Sequence, residues 1–160
     1  MISYFILIYG VIIISLFVII YLVKYTFSQD TGNDKMLEIS EYIKEGAMAF
    51  IKRQYKTIFI LSIITLLLII GCNYASNSSR GSETTAMTIS LRTGVAFITG
   101  AFCSALSGYI GMYMAVNSNI RAAAGAKKGL NASLQIALKG GAVTGLAVTS
   151  LSLLGVASLF

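Results

Sequence analysis

The groups available for chemistry in this 160-residue sequence are few: twelve lysines and arginines, six carboxylates, two thiols and the hydroxyls, with no histidine at all. The absence of imidazole excludes Ser-His-Asp and Cys-His nucleophiles and most zinc sites, each of which needs it as base or ligand. Cys72 and Cys103 stand in or beside apolar stretches, and so read as small buried hydrophobes, not as a disulfide framework or metal pair. Glu38, Glu41 and Glu45 recur at helical spacing, and three carboxylates on one face have the chemistry to hold a divalent cation. A solvated helix face produces the same pattern and is the simpler reading. Lys52, Arg53 and Lys56 have the charge to hold a phosphate, although anchoring to anionic lipid accounts for them without a substrate. The glycines between 122 and 145 invite a phosphate-loop reading, which fails because G-x-x-x-x-G-K-[ST] is missing and no strand precedes them. No residue is assigned as catalytic, cofactor-binding or metal-binding.

The elements that carry these groups are membrane helices. The chain is 56% hydrophobic and 11% charged, against about 25% charged in soluble domains. Residues 1–23 hold no charge and form a helix of about 35 Å, enough for a hydrocarbon core of roughly 30 Å. With no basic leader and no small-x-small site before Lys24, they do not read as a signal peptide. Further spans are expected at 57–79, 93–120 and 140–160, giving an all-α polytopic membrane protein with a single membrane domain over 1–160. Residues 34–56 read as a cytoplasmic amphipathic helix, with Met36, Ile39, Ile43, Ala47 and Phe50 on one side and Glu38, Glu41, Glu45 and Lys52 on the other. It is expected to run into the second span as one bent or continuous helix, with Asn33 or Asp34 as N-cap. Gly125 with Gly129 is expected to break the chain after Arg121, and Asn131 or Ser133 to start a short helix leading into the fourth span.

Charge sets the orientation. Six bases lie between the first two spans and four, with no acid, between the last two; the segment between the second and third spans has only Arg80 and Arg92. The positive-inside rule puts loops 24–56 and 121–139 in the cytoplasm and leaves the N-terminus, the 73–91 connection and Phe160 outside, as in a cell inner membrane. So few charges on so apolar a chain also argue against a nucleic-acid partner.

Spans three and four carry faces of small residues, Gly100, Ser104, Gly108, Gly111 and Ala115 on one and Gly141, Gly145, Thr149 and Ser152 on the other. Such stripes let backbones approach closely, so Gly108→Leu or Gly145→Leu is expected to disturb assembly more than Leu67→Ala. Spans one and two, rich in Ile, Leu, Phe and Tyr, suit positions near lipid. None of the apolar spans contains a lysine, arginine or carboxylate, so the chain taken alone shows no ion path. It ends inside an apolar stretch without a polar flank and reads as cut short.

Two blocks carry a resemblance. Glu38-Ile-Ser-Glu-Tyr-Ile-Lys-Glu-Gly-Ala-Met-Ala-Phe-Ile-Lys-Arg-Gln-Tyr-Lys-Thr-Ile58 resembles the first cytoplasmic segment of membrane-bound, ion-pumping inorganic pyrophosphatases. Ser107-Gly-Tyr-Ile-Gly-Met-Tyr113, Asn119-Ile-Arg121, Gly129-Leu-Asn131 and Gly140-Gly-Ala-Val-Thr-Gly145 are similar to the third and fourth helices of that family. The resemblance implies a sixteen-helix homodimeric enzyme coupling magnesium pyrophosphate hydrolysis to proton or sodium movement, of which this chain supplies the first four helices. Mg2+, implied by the family, is then bound outside this segment, and the partners are the lipid bilayer, the remaining helices, a second copy and the pyrophosphate substrate. No position matches the family's aspartate-rich motifs. Asn117 departs from the basic residue of many bacterial members, which leaves Arg121 as the only guanidinium of that turn. Residues 53–58, 108–113 and 122–126 resemble the potassium-independent, proton-pumping branch more than the sodium-pumping one. The segment is expected to be inactive alone, and the rival reading is a stand-alone four-helix membrane scaffold without catalysis.

Overall fold

With no proline anywhere in the sequence, every residue keeps its backbone N–H for the helix ladder, and the helices run long. The computed structural model describes residues 2–78 and 83–159. It contains α1 (Ile2–Phe27), α2 (Asp34–Ser78), α3 (Glu83–Ala126) and α4 (Leu130–Ala157), with no strand among the described residues. Each helix holds a stretch long and apolar enough to cross a membrane. Residues 79–82 of the expected 73–91 connection lie outside the described residues, as do Met1 and Phe160 at the ends of the first and fourth expected spans.

Helix ends follow local side-chain chemistry. After α1, the Ser28 hydroxyl donates to the Tyr25 carbonyl at 2.8 Å, and the Asp30 carboxylate accepts from the Gly32 N–H at 3.0 Å. Gly32 has φ +86°, which its lack of a Cβ permits. Of the two expected caps the chain uses Asn33, whose side-chain oxygen accepts from the Met36 N–H at 3.3 Å. The charged 34–56 segment and the apolar stretch after it form one continuous helix.

Three expectations need correction. Helix α3 starts ten residues before the expected 93, at Glu83. Gly125 does not break it: the helix continues to Ala126, and the turn falls at Lys127 and Lys128, closed by tight bonds from their N–H groups to the Ala124 and Gly125 carbonyls. The break is made by Gly129 at φ +126°, and α4 starts directly at Leu130 without a separate short helix.

Helix α3 is the spine. It packs on α2 along one side and α4 along another, α1 lies on α4 and touches α3 more lightly, and α2 approaches neither α1 nor α4 among the described residues. The contact between α3 and α4 is antiparallel and built from small groups. A Cβ added at Gly111 meets Thr144 Cγ2 at 2.8 Å, one at Gly125 meets Ile136 Cδ1 at 2.9 Å, one at Gly155 meets Cys103 Sγ at 3.4 Å, and one at Gly140 meets Ser118. Close backbone approach is therefore obligatory here. The buried side of α4 is Ile136, Gly140, Val143, Ala147, Ser150, Gly155 and Ala157. The expected stripe Gly141, Gly145, Thr149 and Ser152 lies on the opposite side and is exposed. A Cβ at Gly145 meets nothing within 4 Å, so the expectation for Gly145→Leu does not hold within this chain. On α3 only Gly111 of the expected face is buried, although Gly108 sits close to the Tyr55 hydroxyl of α2.

Candidate functional site

The polar and charged groups gather at one end of the bundle, where α1 stops, α2 starts, and α3 turns into α4. Six interactions hold that end together. The Arg121 guanidinium lies 4.6 Å above the Phe27 ring, and its Nη1 donates to the Asn117 carbonyl at 2.7 Å. The Lys139 ammonium lies 3.3 Å above the Tyr25 ring. Lys128 and Asp30 form an ion pair at 3.9 Å, with both side chains more than half exposed. Phe27 stacks on Tyr113, ring centres 6.2 Å apart, and Tyr113 on Tyr109 at 6.4 Å. A cation over an aromatic face contributes about 0.5–2 kcal/mol, more as it is desolvated, whereas the exposed Lys128–Asp30 pair is worth well under that after solvent screening. The two aromatic contacts therefore bind the end of α1 to α3 and α4.

On the α2 side of α3, Tyr55 donates to the Ala105 carbonyl at 2.6 Å. Lys44, Ala47 and Met48 lie against Met112, Tyr113 and Val116, and Ile51 is buried. Only part of the expected apolar face of the 34–56 segment is used: Ile39, Ile43 and Phe50 remain more than half exposed.

The sequence-selected groups do not converge on a reaction centre. Glu38, Glu41 and Glu45 are all exposed along α2, and among the described residues no three of His, Cys, Asp or Glu are grouped to hold a metal ion. The donor set thus does not fit a magnesium site. Lys52, Arg53 and Lys56 are exposed, Cys72 is exposed and Cys103 is buried against α4. Glu83 begins α3 at the opposite end from this polar cluster. The residues that sequence reasoning missed are Phe27, Tyr25 and Tyr55, to which it gave no role within the 24–56 stretch. Their only sequence signal is position: Tyr25 and Phe27 flank the end of the first apolar run beside Lys24, and Tyr55 sits within the basic cluster.

Comparison with known proteins bears on this arrangement. The sequence model of a family described as inorganic H+ pyrophosphatase matches residues 13–160. The K(+)-insensitive pyrophosphate-energized proton pump of Caldanaerobacter subterraneus subsp. tengcongensis is 66% identical over 158 residues, covering 99% of this chain and 22% of that relative. A pump of the same description, numbered 2, from Moorella thermoacetica is 51% identical over 148 residues, 92% of this chain and 20% of the relative. The pyrophosphate-energized membrane proton pump 3 of Arabidopsis thaliana is 32% identical over 157 residues, 96% of this chain and 20% of the relative. The chain spans about a fifth of the length of these curated relatives. No solved structure matches it.

Proposed function

Since the chain belongs to the inorganic H+ pyrophosphatase family and its helices are those of a membrane-embedded protein, we propose that it is the N-terminal helical segment of a pyrophosphate-energised proton pump. The observation that carries this reading is the match of nearly the whole chain to one fifth of proton-pumping relatives. In it, residues 1–160 form a single membrane domain that acts with the remaining helices of the pump. The complete enzyme is a homodimer that hydrolyses magnesium pyrophosphate at the cytoplasmic face. A proton, in preference to sodium, is moved across the cell inner membrane. The N-terminus lies outside, and loops 24–56 and 121–139 are cytoplasmic; their ten bases support that orientation.

Phosphoryl transfer to water is driven by metal-bridged phosphate oxygens and a positioned carboxylate. The scattered acids of this segment do not supply either, so its contribution is positional and the segment alone is inactive. Helix α3 holds α2 through Tyr55 and α4 through the small-residue contact, which fixes the relative heights of the two connections. The scaffold reading is not favoured by a match that reaches from residue 13 to residue 160.

A chimera tests the proposal. This chain, replacing the corresponding first fifth of the Caldanaerobacter relative, is expected to give inverted vesicles that acidify on addition of magnesium pyrophosphate without potassium, while the chain by itself releases no phosphate. A correctly inserted but inactive chimera refutes the proposal, and so does magnesium-dependent phosphate release by the chain alone that Glu38→Gln abolishes.

A further inference from the structure

A cavity of about 370 Å3 lies at the charged end of the bundle, between the end of α1, the last two turns of α3 and the first two turns of α4. Gln29, Asp30, Arg121, Lys128, Asn131 and Gln135 contribute its polar lining. Arg121 is oriented from two sides, by the Phe27 ring and the Asn117 carbonyl. Its Nε is nevertheless buried with no hydrogen-bond partner among the described residues. A buried donor left without an acceptor is destabilising, and more so when it is charged.

The first residues of α4, among them Asn131 and Ala132, border the cavity, and Gly129 before them offers no side-chain cap. The leading N–H groups of a helix have no intrahelical acceptor and attract negative charge. Asp30 is the one carboxylate of the lining, and it already stands against Lys128, so the guanidinium of Arg121 is not balanced there. The whole 121–139 stretch contains four bases and no acid.

We propose that this cavity binds a phosphate-bearing anion, with Arg121 as the anchoring fork, Lys128 as the second cation and the start of α4 supplying N–H donors. A planar guanidinium matches the paired oxygens of phosphate, and a helix start complements its charge. The amides of Asn131 and Gln135 add neutral donors, while Asp30 opposes the anion and sets a limit on its affinity. Phospholipid headgroups and inorganic phosphate share this chemistry, and the position at the end of three apolar helices is accessible to both. The inference is independent of pyrophosphate hydrolysis, since it concerns binding alone.

The test uses the full chain in dodecylmaltoside micelles, which carry no phosphate, with two probes. Inorganic phosphate is titrated and followed by 31P line broadening; in parallel, phosphatidylglycerol is mixed into the micelles and its retention is read by native mass spectrometry. Phosphate binding identifies a soluble anion, and selective phosphatidylglycerol retention identifies a headgroup; either supports the site. Lys128→Gln is expected to weaken binding about two- to fivefold, the weight of one exposed charge, and Arg121→Gln by at least about tenfold through loss of charged hydrogen bonds. Asp30→Asn should tighten binding by about two- to fivefold for the same reason as Lys128, a sign that mere loss of structure does not produce. Arg53→Gln, on the exposed side of α2, leaves binding unchanged. Lys128 is exposed, so its variant is expected to fold even if the Arg121 variant does not. Binding of neither probe, or equal binding by the Lys128, Asp30 and Arg53 variants, overturns the proposal.

Discussion

Gly140 and Gly145 lie on the same helix and differ in what a methyl group meets. At Gly140 an added Cβ falls 2.6 Å from Ser118 Cβ, and closer still to its hydroxyl. At Gly145 it meets nothing within 4 Å. Carbon atoms rest at about 3.5–4.0 Å, so Gly140→Ala forces α3 and α4 apart locally by about 1 Å, or shifts one along the other. The hydroxyl can rotate but Ser118 Cβ cannot, because it is fixed by the backbone. A gap of that size forfeits a quarter to a half of each affected dispersion contact, and overpacking of this kind costs about 1–3 kcal/mol. Both substitutions carry the same gain of about 1 kcal/mol for alanine over glycine in a helix interior. The expected net effects are therefore about 1 kcal/mol of destabilisation at Gly140 and about 1 kcal/mol of stabilisation at Gly145, a separation of about 2 kcal/mol. Reversible unfolding of the chain in mixed detergent micelles measures the difference. Ser118→Gly in the Gly140→Ala background should recover most of the loss, because the Ser118 hydroxyl is buried without a partner among the described residues and gives up no hydrogen bond. Equal stability of Gly140→Ala and Gly145→Ala, or no rescue by Ser118→Gly, refutes the assignment of the α3–α4 face.

Tyr55→Phe removes the donor to the Ala105 carbonyl and should lower the same unfolding free energy by about 0.5–1.5 kcal/mol; an unchanged value means that the bond contributes nothing. Gly129→Ala places a Cβ at φ +126°, a region that costs about 1–3 kcal/mol for a residue other than glycine, and should make the 127–129 turn cleavable by protease in detergent where the parent chain resists. With Cys72 and Cys103 replaced by serine, a cysteine at Lys127 should escape an impermeant maleimide added to intact cells while one at Tyr74 reacts, and the reverse labelling contradicts the proposed orientation.

Much of the architecture is legible from charge and hydropathy. The long uncharged runs mark the helices, and the acids at 38, 41 and 45 mark the exposed side of α2. The face that α4 uses is not legible, because small residues occupy both sides of it: Gly140, Ala147, Ser150 and Gly155 on one, Gly141, Gly145, Thr149 and Ser152 on the other. Spacing marks both as able to approach a backbone. What selects between them is complementarity with α3, where Ser118 faces Gly140 and Thr144 faces Gly111, and a single helix does not disclose it. The amphipathic segment shows the same limit, since its apolar side is wider than the strip that α3 covers, and Ile51 is buried while Ile43 is not. At the polar end, Arg121, Lys128 and Asp30 are visible as charges, but they meet only because the end of α1 folds back beside the α3–α4 turn. That return depends on Phe27 and Tyr25 receiving cations from other helices.

The unbroken course of α2 has a mechanical consequence. Its 45 residues extend about 68 Å at 1.5 Å per residue, more than twice the thickness of a hydrocarbon core. The charged half and the apolar half are one rod without a hinge, so tilt at one end is delivered to the other with little loss. A tilt of about 10° about the middle moves the Asp34 end sideways by about 6 Å, from half a rod length at that rise. Helix α3, of nearly equal length, is bound to α2 by the Tyr55–Ala105 hydrogen bond in the charged half and passes close to Leu66 and Ile70 at Gly94 in the apolar half, and stiffens it as a second strut. Displacement among the charged connections is thereby converted into displacement at the far side of the membrane.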